Sequence, residues 1–76
     1  MSPKLPVVTA REVIRVAERL GFVFRRQKGS HAVYRREADR ARLVVPMHSG
    51  ETIRPGTLAT VLKQMGVTRD EFLELL

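Results

Sequence analysis

The stretch FVFRRQKGSHAVYRREADRARLVVP, residues 22–46, contains three short segments rich in β-branched and aromatic residues, separated by two polar turns. These segments have the composition of strands, and they comprise residues 22–26, 31–36 and 41–45. QKGS supplies a turn centred on Gly29, and EADR supplies the second turn. Pro46 has no backbone donor and is expected to end the third strand. Short strands joined by tight turns predict an antiparallel three-stranded meander.

Helical patterns lie on both sides of this meander. A capping box, TARE from Thr9, followed by apolar residues at helical spacing, predicts a first helix over residues 10–20. Pro55 at a first helical position begins a second helix, and Gly66 ends it. Its predicted buried stripe consists of Leu58, Val61, Leu62 and Met65. A second capping box, TRDE, predicts a short last helix.

The predicted order of elements is therefore α-β-β-β-α with a short extra helix, preceded by an irregular arm at residues 1–8. A three-stranded sheet needs one covered face, so the helices are expected to pack together on one side of it. This α+β arrangement in one 76-residue domain is the one used by double-stranded-RNA-binding domains. The aromatic residues expected in the core are Phe22, Phe24, Tyr34 and Phe72.

The net charge of +6 is concentrated in one quarter of the chain. Residues 25–42 hold seven basic and two acidic residues, a net +5, and the remainder carries only +1. A one-sided field of this kind attracts polyanions. Eleven of the fourteen basic residues are arginine, whose planar guanidinium suits phosphate. The candidate RNA-binding residues are Arg25, Arg26, Lys28, Ser30, Arg35 and Arg36.

Several classes of protein are disfavoured by composition. The absence of cysteine excludes disulfides and thiolate metal sites. Two histidines make a weak metal site, so neither a metal nor a cofactor is expected. The longest apolar run is three residues, so no segment is expected to span a membrane. MSPKLPVV lacks the apolar stretch of a signal peptide, and a cytoplasmic location is expected.

The chain's two histidines are predicted to meet at one end of a hairpin. Matching Arg36 with Ala41 across the EADR turn places His31 opposite Pro46 and His48 just beyond the strand end. The start of the second helix must lie close by, because only a short loop separates it from His48. Free backbone amides at that helix start favour an anion.

This arrangement suggests chemistry on a phosphodiester. An imidazole titrates near neutral pH and can give or take a proton, while neighbouring cations stabilise the charge of the transition state. His31 is therefore the candidate acid or base for cleaving RNA, with His48 and Lys28 as candidate assistants. The same pattern also allows His31 to be an ordinary strand residue and His48 an ordinary loop residue.

Four motifs, in this order and at this spacing, resemble the HicA toxin family, the small mRNA interferases of HicA–HicB toxin–antitoxin pairs. They are Gly21-Phe22, QKGSH at residues 27–31, VPMH at residues 45–48 and PGTLATVLKQMGV at residues 55–67. The resemblance implies a double-stranded-RNA-binding-like fold and metal-independent cleavage of mRNA, which blocks translation. It also implies that His31 is the catalytic residue and that a HicB-type antitoxin covers it.

Two other functions stay open. The first is non-catalytic binding of double-stranded RNA or DNA on the same fold. Many such domains place a lysine cluster at the start of the second main helix, whereas RPGTLATVLKQ has only Arg54 in its first turns, which favours the enzyme. The second is a structural half of a protein complex, in which the basic hairpin meets an acidic partner.

Overall fold

The computed structural model describes residues 5–47 and 52–76, with strands and helices in the predicted order. The elements are α1 (Ala10–Arg19), β1 (Val23–Lys28), β2 (His31–Arg36), β3 (Ala41–Pro46), α2 (Pro55–Met65) and α3 (Arg69–Leu75). The strands form one antiparallel sheet in the order β1-β2-β3. The predicted α+β fold, with its α-β-β-β-α order and short last helix, is confirmed.

The helix ends follow the predicted capping residues. At α1 the Thr9 hydroxyl accepts from the Glu12 amide at 3.3 Å, and the Glu12 carboxylate accepts from the Thr9 amide at 3.0 Å. Thr68 and Glu71 form the same reciprocal pair at α3, at 3.1 and 2.8 Å. Gly66 ends α2 in the left-handed conformation, with φ of 76°, which glycine adopts without steric cost. Helix α1 ends one residue earlier than predicted.

The predicted pairing of β2 with β3 is also confirmed. Arg36 pairs with Ala41 and His31 pairs with Pro46. We predicted that β3 ends at Val45, but Pro46 is its last residue. Strand β1 begins one residue later than predicted and runs two residues further, to Lys28.

Strand β1 contains a bulge that the sequence analysis did not predict. Phe24 pairs with Tyr34 on one side of the irregularity, and Arg26 pairs with Val33 on the other, so Arg25 is the extra residue. A bulge of this kind changes the face to which all later side chains of the strand point.

One face of the sheet is buried against the helices. Its core residues are Ala32 and Tyr34 of β2 and Leu43 and Val45 of β3. They belong to the same hydrophobic cluster as Val13, Val16 and Ala17 of α1, Leu58, Val61, Leu62 and Met65 of α2, and Phe72 of α3. The predicted stripe of α2 is therefore buried, as are Phe22, Tyr34 and Phe72. The prediction for Phe24 was wrong: it is 51% exposed, because the helices pack over β2 and β3 and leave all of β1 exposed.

The segment before α1 contributes to the core although it has no regular secondary structure in residues 5–8. Val8 is only 2% exposed, and its carbonyl accepts from the Ile53 amide at 2.7 Å. Thr9 and Thr52 form an antiparallel bridge beside this bond. This pairing fixes the chain just before α2.

Arg36 joins the second turn of the sheet to the end of α1. Its Nε and Nη2 donate to the Asp39 carboxylate at 2.9 and 2.8 Å, and its Nη1 donates to the Leu20 carbonyl at 3.1 Å. The guanidinium also lies 4.5 Å from the ring centroid of Phe22. These hydrogen bonds from Arg36, together with that from the Ala41 amide, lower the pKa of Asp39 to about 2.

We expect Leu58→Ala to lower the free energy of unfolding by about 2–5 kcal/mol, because it leaves a cavity in the core. Leu58 is fully buried, whereas Leu73 is 40% exposed, which makes Leu73→Ala the matched control. For the control we expect a loss of about 1 kcal/mol or less. Urea denaturation followed by circular dichroism measures both. Equal losses would contradict the burial of Leu58.

We expect the stability advantage of the wild type over Asp39→Asn to be largest above about pH 4 and to fall between pH 4 and 2. The folded pKa of about 2 lies below the ordinary value of 3.8, so the ionised carboxylate stabilises the fold above 3.8. That contribution is lost as pH falls through the folded pKa. Thermal unfolding at several pH values measures the difference. In an Arg36→Gln background the pH dependence should largely disappear, and its persistence would exclude Arg36 as the cause.

Candidate active site and nucleic-acid interface

The face of the sheet opposite the helices, called here the open face, carries most of the candidate site. Strand pairing and the alternation of side chains place nine residues on it. They are Val23, Arg26 and Lys28 of β1, His31, Val33 and Arg35 of β2, and Arg42, Val44 and Pro46 of β3. Without the bulge at Arg25, continued pairing from Phe24 would turn Arg26 and Lys28 to the helix-covered face. The bulge therefore brings these two cations beside His31.

His31 is exposed at the first position of β2, between Lys28 of β1 and Pro46 of β3. The two-residue loop before it has Gly29 at its first position, with φ of 58°, where tight hairpins favour glycine. The Gln27 side-chain amide donates to the Gly29 carbonyl at 3.1 Å. This hydrogen bond stabilises the turn that directly precedes His31.

A backbone hydrogen bond joins the residue before His31 to the residue after β3: the Ser30 carbonyl accepts from the Met47 amide. No described residue forms a side-chain hydrogen bond or an ion pair with the His31 ring. The exposed ring is therefore accessible to a ligand on the open face.

A recess of about 340 Å³, called here the arginine recess, lies on the open face. It is lined by Arg25, Arg26, Val33, Arg35 and Arg42. Val33 is only 9% exposed although no helix covers it, since the apolar stems of the surrounding arginines shield it. Four arginine side chains thus line one small space.

The arginine recess has little internal charge compensation. Glu37 Oε1 lies 3.8 Å from Arg25 Nη1 and 3.9 Å from Arg35 Nε, and such exposed, long pairs are weak. Arg35 Nε is shielded from solvent and has no hydrogen-bond partner in the described part of the chain. A shielded donor without an acceptor, among three other cations, favours an anionic ligand.

A second recess, of about 520 Å³ and called here the cationic groove, leads from the arginine recess to His31. Its lining residues are Arg26, Lys28, Gly29, Ser30, His31, Val33, Arg42 and Val44. Arg26, Val33 and Arg42 border both recesses, so the two are adjacent. Sequence reasoning missed Arg42, although its pairing with Arg35 follows from the predicted register.

A third recess, of about 560 Å³ and called here the threonine pocket, lies on the other side of His31. It is lined by His31, Val44, Pro46, Thr52, Ile53, Arg54, Thr57, Thr60 and Val61. Gln64 holds α2 beside the outer edge of β3, where its Oε1 accepts from the Val44 amide at 2.9 Å. Arg54 and Thr57 line this pocket together with His31, so the beginning of α2 lies close to His31, as predicted.

The structure gathers most of the predicted site residues but separates one of them. Arg25, Arg26, Lys28, Ser30 and Arg35 border the recesses that lead to His31. Arg36, in contrast, shares the helix-covered face with its partner Ala41. Because its guanidinium is engaged there by Asp39 and Leu20, we leave it out of the candidate interface. His48 lies outside the described residues.

The described residues contain neither a candidate metal-binding cluster nor a candidate membrane-spanning helix. Within residues 5–47 and 52–76, no three His, Cys, Asp or Glu side chains are grouped so as to hold a metal ion. None of the helices in these two ranges is both long and apolar enough to cross a bilayer.

Fold and site together define a small, basic α+β protein with an exposed histidine where a cationic groove meets a second pocket. The family model described as the HicA toxin of bacterial toxin-antitoxin matches residues 10–67, and the chain belongs to this family. It is therefore a toxin of a toxin–antitoxin system, and the family implies an antitoxin partner. A comparison with curated proteins finds no match.

Proposed function

We propose that this toxin is an endoribonuclease that cleaves mRNA without a metal ion and thereby inhibits translation. The observation that carries the proposal is the position of His31, exposed at the end of a groove bordered by Arg26, Lys28 and Arg42. A polyanion held in this groove passes the His31 imidazole, and an imidazole is the side chain that acts most often as a general acid or base. Because mRNA is the proposed substrate, the proposed site of action is the cytoplasm.

The reaction that suits these groups is an internal transfer at phosphorus. A base removes the proton of the ribose 2′-hydroxyl, whose oxygen attacks the adjacent phosphorus, and an acid protonates the departing 5′-oxygen as its bond to phosphorus breaks. The products are a 2′,3′-cyclic phosphate and a 5′-hydroxyl. His31 supplies one of these proton transfers, and the candidates for the other are His48, Lys28 and water. Lys28, paired directly with His31, also stabilises the negative charge that develops on the phosphoryl oxygens.

The arginine recess supplies binding away from the reacting bond. Its guanidinium groups each offer a planar pair of donors to a phosphate. Since the recess lies next to the cationic groove, one RNA strand can place a phosphate in each at the same time. This arrangement positions the chain at His31 without requiring any particular base sequence.

The antitoxin partner would use the same surface. We propose that a HicB-type antitoxin covers His31 and the open face and competes with RNA for it. Five exposed or partly exposed cations there call for an acidic contact face on the partner; they are Arg25, Arg26, Lys28, Arg35 and Arg42.

Non-catalytic binding of nucleic acid is the second candidate function, because the arginine recess would hold phosphates whether or not His31 reacts. The two candidates differ in what they require of His31. A nuclease needs its imidazole, whereas a binding module needs only the cations.

We expect His31→Ala to lower the rate of RNA cleavage by about 100-fold or more, because it removes a group that transfers a proton in the transition state. Purified chains are incubated with single-stranded RNA in the presence of EDTA, and the products are separated on a gel. Circular dichroism checks that the variant is folded. If neither protein cleaves and both bind RNA equally, the histidine has no catalytic role and the chain is a binding module.

We expect Arg42→Gln to weaken RNA binding and to reduce the slope of log K against log salt by about 0.7, as for the loss of one phosphate contact on a single strand. Binding is measured in the His31→Ala background, so that the RNA stays intact. Arg15→Gln is the matched control, since Arg15 is exposed on α1, which packs against the other face of the sheet. Equal effects of the two changes would show that only total charge matters.

A further inference from the structure

The threonine pocket differs in character from the cationic surfaces beside it. Its lining is mostly apolar or hydroxyl-bearing, with two basic residues at its border, His31 and Arg54. The apolar residues are Val44, Pro46, Ile53 and Val61, and the hydroxyl groups come from Thr52 and from Thr57 and Thr60 of α2. No acidic residue is found among the described residues that line it. Its volume of about 560 Å³ lies within the range of about 300–1,000 Å³ that is usual for small-ligand sites. The proposed cleavage uses only its border with His31.

Arg54 and the start of α2 favour a phosphate at the border of the pocket, whereas its apolar walls suit a nucleobase. A phosphate gains nothing from apolar walls, whereas a base has two apolar faces and a polar edge. The Thr60 hydroxyl donates to the Gly56 carbonyl at 3.3 Å, so this oxygen is left to act as an acceptor. An acceptor of this kind would pair with an amino or imino group on the edge of a base.

The position of the pocket relates it to the proposed reaction. His31 and Val44 line both the threonine pocket and the cationic groove, which therefore meet at His31. An RNA strand whose phosphates follow the groove can therefore place its next base in the pocket. In a duplex this base would be stacked and paired, and it could enter the pocket only by leaving the helix.

We infer that the threonine pocket binds the base next to the cleaved bond, that the substrate is single-stranded RNA, and that Thr57 and Thr60 determine which base is preferred. This inference rests on the proposed function for its link to cleavage. The pocket's affinity for a base, however, depends only on its own lining.

The first test measures base binding without any cleavage. The ¹⁵N-labelled full chain is titrated with each of the four ribonucleoside 5′-monophosphates, which contain no internal phosphodiester bond, and with ribose 5-phosphate as the control that lacks a base. We expect at least one nucleotide to shift the amide signals of Val44, Thr57 and Val61 and to bind more tightly than ribose 5-phosphate. Equal affinity for ribose 5-phosphate, or no shift of these signals, would overturn the inference and leave the pocket to a protein partner.

Variants then test the two threonines. Thr57→Val with Thr60→Val keeps the shape of both side chains, and we expect about 3- to 10-fold weaker binding for each hydrogen bond lost. Ala59→Val is the matched control, since it introduces the same residue on an exposed turn of α2 outside the pocket lining. A double variant that binds like the control would overturn the role of the hydroxyl groups.

The second test maps the cleaved ends of one RNA, given single-stranded and annealed to its complement. We expect cuts in the single strand only, and a changed base preference at the cut for the double threonine variant but not for Ala59→Val. Cleavage of the duplex at the same rate would overturn the inference while leaving His31 as the nuclease residue. Nucleotide binding by a chain that never cleaves would instead overturn the proposed function and retain the base site.

Discussion

The burial of one face of a three-stranded sheet is the constraint on which the rest of this structure depends. Ala32, Tyr34, Leu43 and Val45 face the helices, and the alternation of a strand then forces the residues between them to the opposite face. A chain of 76 residues builds a small core and covers the sheet on one side only. The uncovered side is therefore where charged side chains can stand together in water, and Arg26, Arg35 and Arg42 lie there.

The bulge at Arg25 changes which side chains of β1, the fully exposed strand, point to the open face. The pairing of Phe24 with Tyr34 and the tight turn at Gly29 differ by one residue in register, and the extra residue reconciles them. As a result Lys28 pairs with His31 on the open face. The local chemistry of the proposed active site thus depends on a backbone irregularity six residues before the histidine.

The regular features of the fold could be predicted because each has a local cause. The capping boxes mark where α1 and α3 begin, and the turn glycine marks the turn between β1 and β2. The short turn between β2 and β3 sets their register, which pairs His31 with Pro46. The bulge could not be predicted, since FVFRRQK contains no residue that marks it. The prediction for Phe24 was wrong because the sequence does not show that the helices leave β1 uncovered. The sequence also gives no sign that Val8 is buried, because an irregular segment has no periodicity. The threonine pocket depends on how α2 packs beside β3, which is a tertiary feature.

Arg35 and Arg36 show why charge alone does not define the interface. They are neighbours in β2, yet one borders the arginine recess and the other joins Asp39 to the end of α1. The cationic surface is thus smaller than the net charge of residues 25–42 suggests, and it is confined to one face. Such a surface, with the histidine exposed at a strand end and not in a deep cleft, is open to any partner that presents carboxylates. Under the proposed function, an antitoxin can therefore inhibit by competing for the surface, and no conformational change of the toxin is needed.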